Sequence, residues 1–532
     1  MRHAALMRGR ARRHSVVGAG LAAVAAANVH AQVGTSSDVI TNPQGRVAQF
    51  ADSTNGRTFS VVPSLLINER LTDNSRLVTN SKEWDLVSQV TPGIHIDSRG
   101  GRVKGFFDYA LTGIAYARNS ASNEFQNSLN SFVNLEAVEN WAFVDFRANI
   151  SQQVISAYGT RTADSSLINS NRTEVRTFGI SPYVKGRLAG SADYEVRLTQ
   201  YWSRNSTTES ANYDSSLATV RLTGDTDHRI LSWAADASHF AYNYRAGRKS
   251  VDDIVHAILY VAPNPQLRVS LIGGRESTNI TSAEKETNNT PGIGVDWQPT
   301  ERTELSGRLE RRFFGPYHSL SFVHRTPRTV WRYVDTQDVS TGFGQPVPGS
   351  LGTAYDLFYA QFASIQPDPV QRAALVNDFL RLNGIAPTTQ VFTGSLASAP
   401  TRQRRQELSF ALLGVRDTIT FAATQTKGLR LDNTAAIADD FANNNLVNQR
   451  GFGIGVSHRL TPTAALSLLG SIDRTSGNVT SQSTTLRSIN LYWTDQLGPR
   501  GTFSLGAHHS SFSSATQPYE ENAVTATVGL RF

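Results

Sequence analysis

No cysteine occurs among the 532 residues, and methionine occurs only twice. Without cysteine there is no disulfide framework, no thiolate metal site and no thiol nucleophile. Long apolar runs are equally scarce. Hydrophobic residues make up 39% of the chain, and beyond the N-terminal region no stretch approaches the ~20 apolar residues that a membrane helix requires. That excludes a helical membrane protein. It leaves a membrane barrel open, because barrel strands show only alternate side chains to lipid and read as compositionally soluble.

The one apolar run lies at the start. Arg2, Arg8, Arg10, Arg12 and Arg13 precede small and apolar residues from Val16 to Ala27, and Val29-His30-Ala31 follows before Gln32. The pattern predicts a secretory signal over 1–31, cleaved after Ala31, since the run is too short to span as a helix. Removing those five arginines from the formal +7 leaves +2. The basic balance therefore belongs to the leader and gives no reason to expect nucleic acid as a partner.

What is abundant is alternation. In Asn522 to Phe532, Val524, Ala526, Val528, Leu530 and Phe532 share one parity, while Thr525, Thr527, Gly529 and Arg531 share the other. This is the period-two signature of a strand with one apolar face. An open edge strand of this kind would aggregate in water, whereas in a closed barrel it pairs on both sides and faces lipid. The terminal strand resembles the assembly signal of Gram-negative outer-membrane barrels, with Phe532, Leu530 and Val528 as the residues that the barrel assembly machinery would read. Val103 to Ala117, Trp141 to Ile150 and Gly451 to Val456 alternate in the same way.

The connections fall into two classes that alternate along the chain. Tight ones include Asp97 to Arg102, Leu188 to Asp193 and the segments APNPQ, QPTER, HRTPRT, LTPT and LGPRG; long ones, rich in Asn, Ser and Thr, include GTRTADSSLINSNR, NSTTESANYDSS and ESTNITSAEKETNN. Short periplasmic turns and long outer loops produce this rhythm in barrels. Trp141, Trp233, Trp297, Trp331 and Trp493 fall near the tight turns and Trp84 and Trp202 near the outer loops, as interfacial indoles should. The expectation is an all-β protein: a transmembrane antiparallel up-and-down barrel over 58–532 with about 22 strands (roughly 18–24), preceded by a flexible periplasmic lead-in over 32–57. Within it, 339–401 is expected to form an extracellular insertion with a helical hairpin. There Asp368 would cap, Pro369 would open, Leu375, Phe379 and Leu382 would line one face and Gly384 would end the second helix.

Several segments resemble the outer-membrane barrel proteins associated with PEP-CTERM/exosortase systems: SQVTPGIHI, RVKGFFDYALTGIAYARNS, ENWAFVDFRANISQQ, ISPYVKGRLAGSADYEVR and RRFFGPYHSLSFVHRTPRTVWRY. The resemblance implies an outer-membrane protein of Gram-negative bacteria that takes part in exopolysaccharide or envelope export. Its partners would be outer-membrane lipid, the barrel assembly machinery, polysaccharide-export proteins and an anionic polysaccharide. It carries over no catalytic residues.

No motif nominates a catalytic centre, a cofactor or a metal site. The adjacent His508 and His509 should point to opposite faces of a strand, and GFGIGV lacks the helix that a phosphate-binding loop needs. If the apolar parity faces lipid, then Lys104, Asp108, Arg147, Lys185, Arg187, Glu195, Arg197, Arg221, Arg268, Glu304, Arg308, Glu310 and Arg312 point inward, together with Tyr183 and Tyr201. Of these, Lys104, Arg147, Lys185, Arg187, Arg197, Arg221, Arg268, Arg308, Arg312, Tyr183 and Tyr201 form a candidate substrate path. Its cations would draw an anionic polymer and its tyrosines would offer stacking surfaces to sugars. The alternatives are charged side chains that brace the wall of a structural or assembly-partner barrel, or a barrel-borne hydrolase.

Overall fold

The computed structural model describes residues 59–532 except 99, 189–190, 208–210, 246–248, 341–358, 360–375, 377–394, 432–438, 443 and 479–481. The expected signal segment and lead-in lie outside the described residues. The expected helical hairpin within 339–401 is not seen, because only Tyr359 and Val376 are described between 341 and 394.

The chain is a run of antiparallel strands. The first nine are β1 (Phe59–Thr72), β2 (Asp85–Ser98), β3 (Val103–Tyr116), β4 (Glu124–Val138), β5 (Ala142–Val154), β6 (Arg172–Leu188), β7 (Ala192–Asn205), β8 (Tyr213–Asp225) and β9 (Leu231–Tyr244). Then come β10 (Lys249–Asn264), β11 (Leu267–Thr278), β12 (Glu286–Asn289), β13 (Gly292–Thr300), β14 (Thr303–Arg312), β15 (Gly315–Arg325) and β16 (Thr329–Ser340). The rest are β17 (Thr401–Leu413), β18 (Asp417–Arg430), β19 (Leu446–Arg459), β20 (Ala464–Gly477), β21 (Ser483–Gln496), β22 (Gly501–Ser513) and β23 (Tyr519–Arg531).

Each strand but β12 pairs with the next, and β1 pairs with β23, so the sheet closes. Both β12 and β13 pair with β11. They are two halves of one crossing, interrupted at Thr290-Pro291, where proline has no N–H to give the ladder. The 23 segments thus make a closed barrel of 22 crossings, the even number that antiparallel closure demands. β16 runs through Ser340 and β17 begins at Thr401, so the insertion between them is slightly shorter than the sequence pattern suggested.

Parity assigns the faces as expected. Phe452, Ile454, Leu468, Ile489 and Leu491 are exposed on the outer surface, on one face of β19, β20 and β21 with Leu468 directly opposite Leu491. On the other parity, Gln449, Ser467, Thr475 and Leu486 are buried in the interior. His508 is buried while His509 is exposed. At the short-turn end the tryptophans form a girdle with their neighbours. Trp331 packs on Phe410 at 4.4 Å, Trp493 lies against Phe503 at 6.1 Å, and Trp141 Nε1 donates to Tyr194 OH at 3.0 Å. At the opposite end Trp84 sits beneath the Arg118 guanidinium at 4.0 Å. The apolar outer band between aromatic rims makes this an outer-membrane barrel, with the short turns periplasmic.

Placing a cation at mid-height separates the two faces. Ile454→Lys should destabilise the barrel in lipid by about 2–4 kcal/mol. Its inward neighbour Gly453, where a Cβ would meet nothing closer than the Gly470 carbonyl oxygen at 3.9 Å, should accept serine at a loss of under about 1 kcal/mol. Urea titrations in vesicles followed by tryptophan fluorescence measure both.

Candidate functional site

The loop between β5 and β6 does not stand out into the medium. Residues 155–171 turn inward and cross the outer half of the lumen, held by contacts spread over distant strands. At its root, Ser156 Oγ and the Ala157 N–H donate to Asp440 at 2.5 and 2.7 Å. Leu396 N donates to the Val154 carbonyl at 3.2 Å, which ties the tail of the β16–β17 connection to the same root.

Farther along, Arg161 Nη1 reaches Thr475 of β20 at 3.3 Å, and Tyr519 of β23 donates its hydroxyl to the Arg161 carbonyl at 2.6 Å. At the tip, Tyr116 of β3 donates to the Ser166 carbonyl at 2.6 Å, and the Ile168 N–H donates to the Ser75 carbonyl at 3.2 Å. Apolar packing completes the attachment. Leu167, 1% exposed, sits among Leu77, Leu486, Phe512 and Tyr519, and Ile168 packs on Val87, Ile114 and Tyr116.

One guanidinium anchors the tip. Arg70 on β1 pairs with Asp164 of the loop at 2.8 Å and with Glu521 of β23 at 2.7 Å. Thr72 donates to the same Glu521 oxygen at 2.7 Å, and His508 lies 3.1 Å from the other. Burial works against ionisation of Asp164, yet Arg70, the Ser166 N–H and hydroxyl and His508 together hold its carboxyl below the ordinary carboxylate range. Loop and wall are therefore joined by a charge-assisted clasp in a poorly hydrated place.

The inward charges expected from parity do face the lumen, and most of them are held by carboxylates. Arg197 pairs with Asp145 at 2.7 Å and Glu195 at 3.0 Å, and its guanidinium covers the ring of Tyr183 at 3.8 Å. Arg268 pairs with Asp296 at 2.8 Å, Arg221 with Asp236 at 3.5 Å, and the exposed Arg187 with Asp193 at 3.6 Å. Arg308 and His256 both reach Glu310 at 2.6 Å. Arg312 gathers three acids, Glu276 at 2.5 Å, Asp252 at 3.2 Å and Asp338 at 3.3 Å.

Three of the candidate cations are placed differently. Arg147 lies over the Phe132 ring at 4.8 Å and Lys185 over the Phe143 ring at 4.7 Å, while Lys104 is exposed near the periplasmic end of β3. Tyr183 stacks on Phe143 with ring centres 5.0 Å apart. The ring of Tyr201 fills the space over Gly179, where a Cβ would fall 2.3 Å from its Cε1.

At mid-height the lining over β1 to β3 and β23 is neutral and only half-buried. Gln89 donates to Asn68 at 3.2 Å, Asn68 to Thr527 at 2.6 Å and Thr91 to Thr112 at 3.0 Å. The arrangement is a polar shaft with braced walls, narrowed above by the β5–β6 loop and bordered below by Lys104 and Lys185. Strand parity points to the wall cations, whereas the loop leaves only a faint trace in the amino-acid order. Its signal was the apolar pair Leu167-Ile168 inside an otherwise polar loop, next to an aspartate that receives the N–H two residues on, Ser166 to Asp164 at 2.7 Å.

No protein-family model matches the chain, and no curated protein matches it. Among solved structures it is similar to the FrpB iron transporter of Neisseria meningitidis, with 10% identity, 91% of this chain and 83% of that chain covered, and a TM-score of 0.49. It is also similar to the siderophore receptor PirA of Pseudomonas aeruginosa, with 8% identity, 89% and 80% coverage and a TM-score of 0.43. The outer-membrane protein opdK of Pseudomonas aeruginosa aligns at 8% identity over 89% of this chain and 99% of that one, with a TM-score of 0.33.

Because the Asp164 carboxyl titrates below its ordinary value of about 3.9, the clasp should be fully formed above that pH and should open only as pH falls below it. Single-channel conductance should be flat from about pH 5 to 8 and should rise in acid. Arg70→Ala leaves Glu521 and Asp164 without their cation, a loss of about 3–5 kcal/mol in comparable buried pairs. It should raise conductance at neutral pH and expose 159–169 to protease.

Proposed function

We propose that this barrel is a passive outer-membrane channel serving exopolysaccharide or related envelope export, with the β5–β6 loop as its constriction. The observation that carries the reading is the lining: a half-buried stretch of amide and hydroxyl side chains over β1 to β3 and β23, lying beneath the packed β5–β6 loop. A wall built only for support would favour apolar filling in that place. Paired arginines add rigidity without projecting much field, since each charge is cancelled nearby.

The field that remains belongs to the periplasmic opening. Lys104 on β3 is exposed there, and Lys185 on β6 lies over the Phe143 ring. A polyanion arriving from the periplasm would meet these cations first, and transport would follow lumen size and charge without chemistry. The resemblance to PEP-CTERM-associated barrels supports the same cargo class, and polysaccharide-export proteins on the periplasmic side are the partners it suggests.

A second reading, a structural or assembly-partner barrel without transport, is favoured by the density of ion pairs around Arg312. Planar bilayers separate the two. The channel reading expects ohmic current through the full-length protein, reduced when alginate is added on the periplasmic side. Lys104→Gln combined with Lys185→Gln should weaken that block several-fold. Absence of current in wild type and in Arg70→Ala alike would overturn the channel and leave the structural barrel.

A further inference from the structure

The outer surface carries charge as well as grease, and the charge is distributed unevenly. Around β6 to β11 several outward cations near the extracellular rim have an acid beside them. Arg176 pairs with Glu174 at 2.7 Å, Arg204 with Asp214 at 2.5 Å, and Lys285 with Asp253 at 2.6 Å. On β17, Arg404 is likewise satisfied by Asp335 at 2.6 Å.

Continuing around the barrel, the acids stop and the cations do not. Lys427 on β18, Arg450 on β19, Arg474 on β20 and Arg487 on β21 are all exposed and all share the parity of the lipid-facing residues. None has a carboxylate partner among the described residues, and the outer face of the extracellular halves of these four strands bears no aspartate or glutamate.

Three of them also hold the same place relative to the apolar band. Arg450 follows Phe452 toward the rim, Arg474 follows Ile472 and Arg487 follows Ile489, each being the first outward position beyond an exposed apolar side chain. The row therefore sits where hydrocarbon gives way to headgroups.

The register makes the row harder to explain by internal needs. Arg450 and Arg474 are direct cross-strand partners, and like charges placed opposite each other on one face of a sheet are destabilising. With strands spaced about 4.8 Å apart, and with Lys427 and Arg487 each set two residues off the Arg450–Arg474 pair in opposite directions, the four cations form a diagonal row of roughly 20 Å. Such a row is stable when an external anion lies across it, and arginine forks match phosphate oxygens in pairs. Amides and hydroxyls stand among the cations: Gln425 donates to Asn448 at 3.0 Å, and Ser476 and Thr485 lie on the same face. They suit the sugar that carries such phosphates.

We propose that Lys427, Arg450, Arg474 and Arg487 form a docking surface for the phosphorylated glycolipid of the outer leaflet, gripping its headgroup phosphates while its acyl chains lie along Phe452, Ile472 and Ile489. The partner is a bis-phosphorylated lipid A headgroup, in preference to an ordinary anionic phospholipid, because the site combines several cations with sugar-binding amides and hydroxyls.

The test uses the full-length barrel in detergent, native mass spectrometry and three probes: bis-phosphorylated lipid A, the same lipid with its phosphates removed, and phosphatidylglycerol. Wild type should retain the bis-phosphorylated lipid at least tenfold more tightly than either other probe. The combined variant Lys427→Gln, Arg450→Gln, Arg474→Gln, Arg487→Gln should lose that preference, whereas Arg176→Gln with Arg204→Gln should keep it. Folding is checked independently by thermal unfolding without lipid, where the combined variant should equal or exceed wild type because the Arg450–Arg474 repulsion is gone. Added lipid A should then raise the unfolding temperature of wild type alone. Equal retention by wild type and the combined variant, or equal competition by phosphatidylglycerol, would overturn the proposal.

Discussion

In hydrocarbon an unpaired backbone N–H or C=O has no water to turn to, so each strand needs a neighbour on both sides. Closure at β1 and β23 meets that demand: nine consecutive register pairs, from Ser64 with Arg531 to Thr72 with Ala523, leave neither strand with a bare edge over that span. Everything else follows from the ring. Once strands are locked side by side, alternate side chains have only two destinations, lipid or lumen. The composition of the chain is the sum of those two environments, which is why it reads as neither a soluble core nor a membrane helix.

The lumen side shows how a wide ring is kept from collapsing. A barrel of 22 crossings encloses more space than apolar side chains from the wall can fill. Here the wall braces itself with ion pairs along and across its strands, as Arg197 of β7 does with Glu195 on its own strand and Asp145 two strands away on β5. The upper lumen is instead filled by the β5–β6 loop and by clusters such as Tyr213, Tyr242, Tyr244 and Ile280. Pairing has an energetic limit, since desolvation consumes much of the attraction. Its gain is positional, because each pair fixes a side chain that would otherwise sweep the shaft.

Strand positions and faces were legible in the amino-acid order because a period of two is a local property. Phe452, Ile454 and Val456 announce their face without reference to anything distant, and so do the tryptophans at the strand ends. The adjacent His508 and His509 split across the wall for the same reason. The fate of the β5–β6 loop was not legible. Its decisive partner, Arg70, lies 94 residues from Asp164 in sequence, and no periodicity links a loop to a strand that far away. Pairing of the inward cations was hidden likewise: parity placed Arg312 inside, but only the register of β10, β11, β14 and β16 brings three acids to it. The break at Pro291 splits one crossing into two segments, a detail that proline signals locally and that hairpin counting absorbs without error.

The seam has a kinetic side. Asn68 and Thr527 touch across it although 459 residues separate them. Adjacent hairpins can form early, since their ends are near in the chain, but this join is the most non-local contact in the ring and by contact order the slowest to find. Until it forms, a nearly finished sheet carries two raw edges, each a template for a stranger. Assembly of this protein is therefore a race between one long-range search and misannealing with other chains, and a helper that shields those two edges would matter more than one that speeds any hairpin.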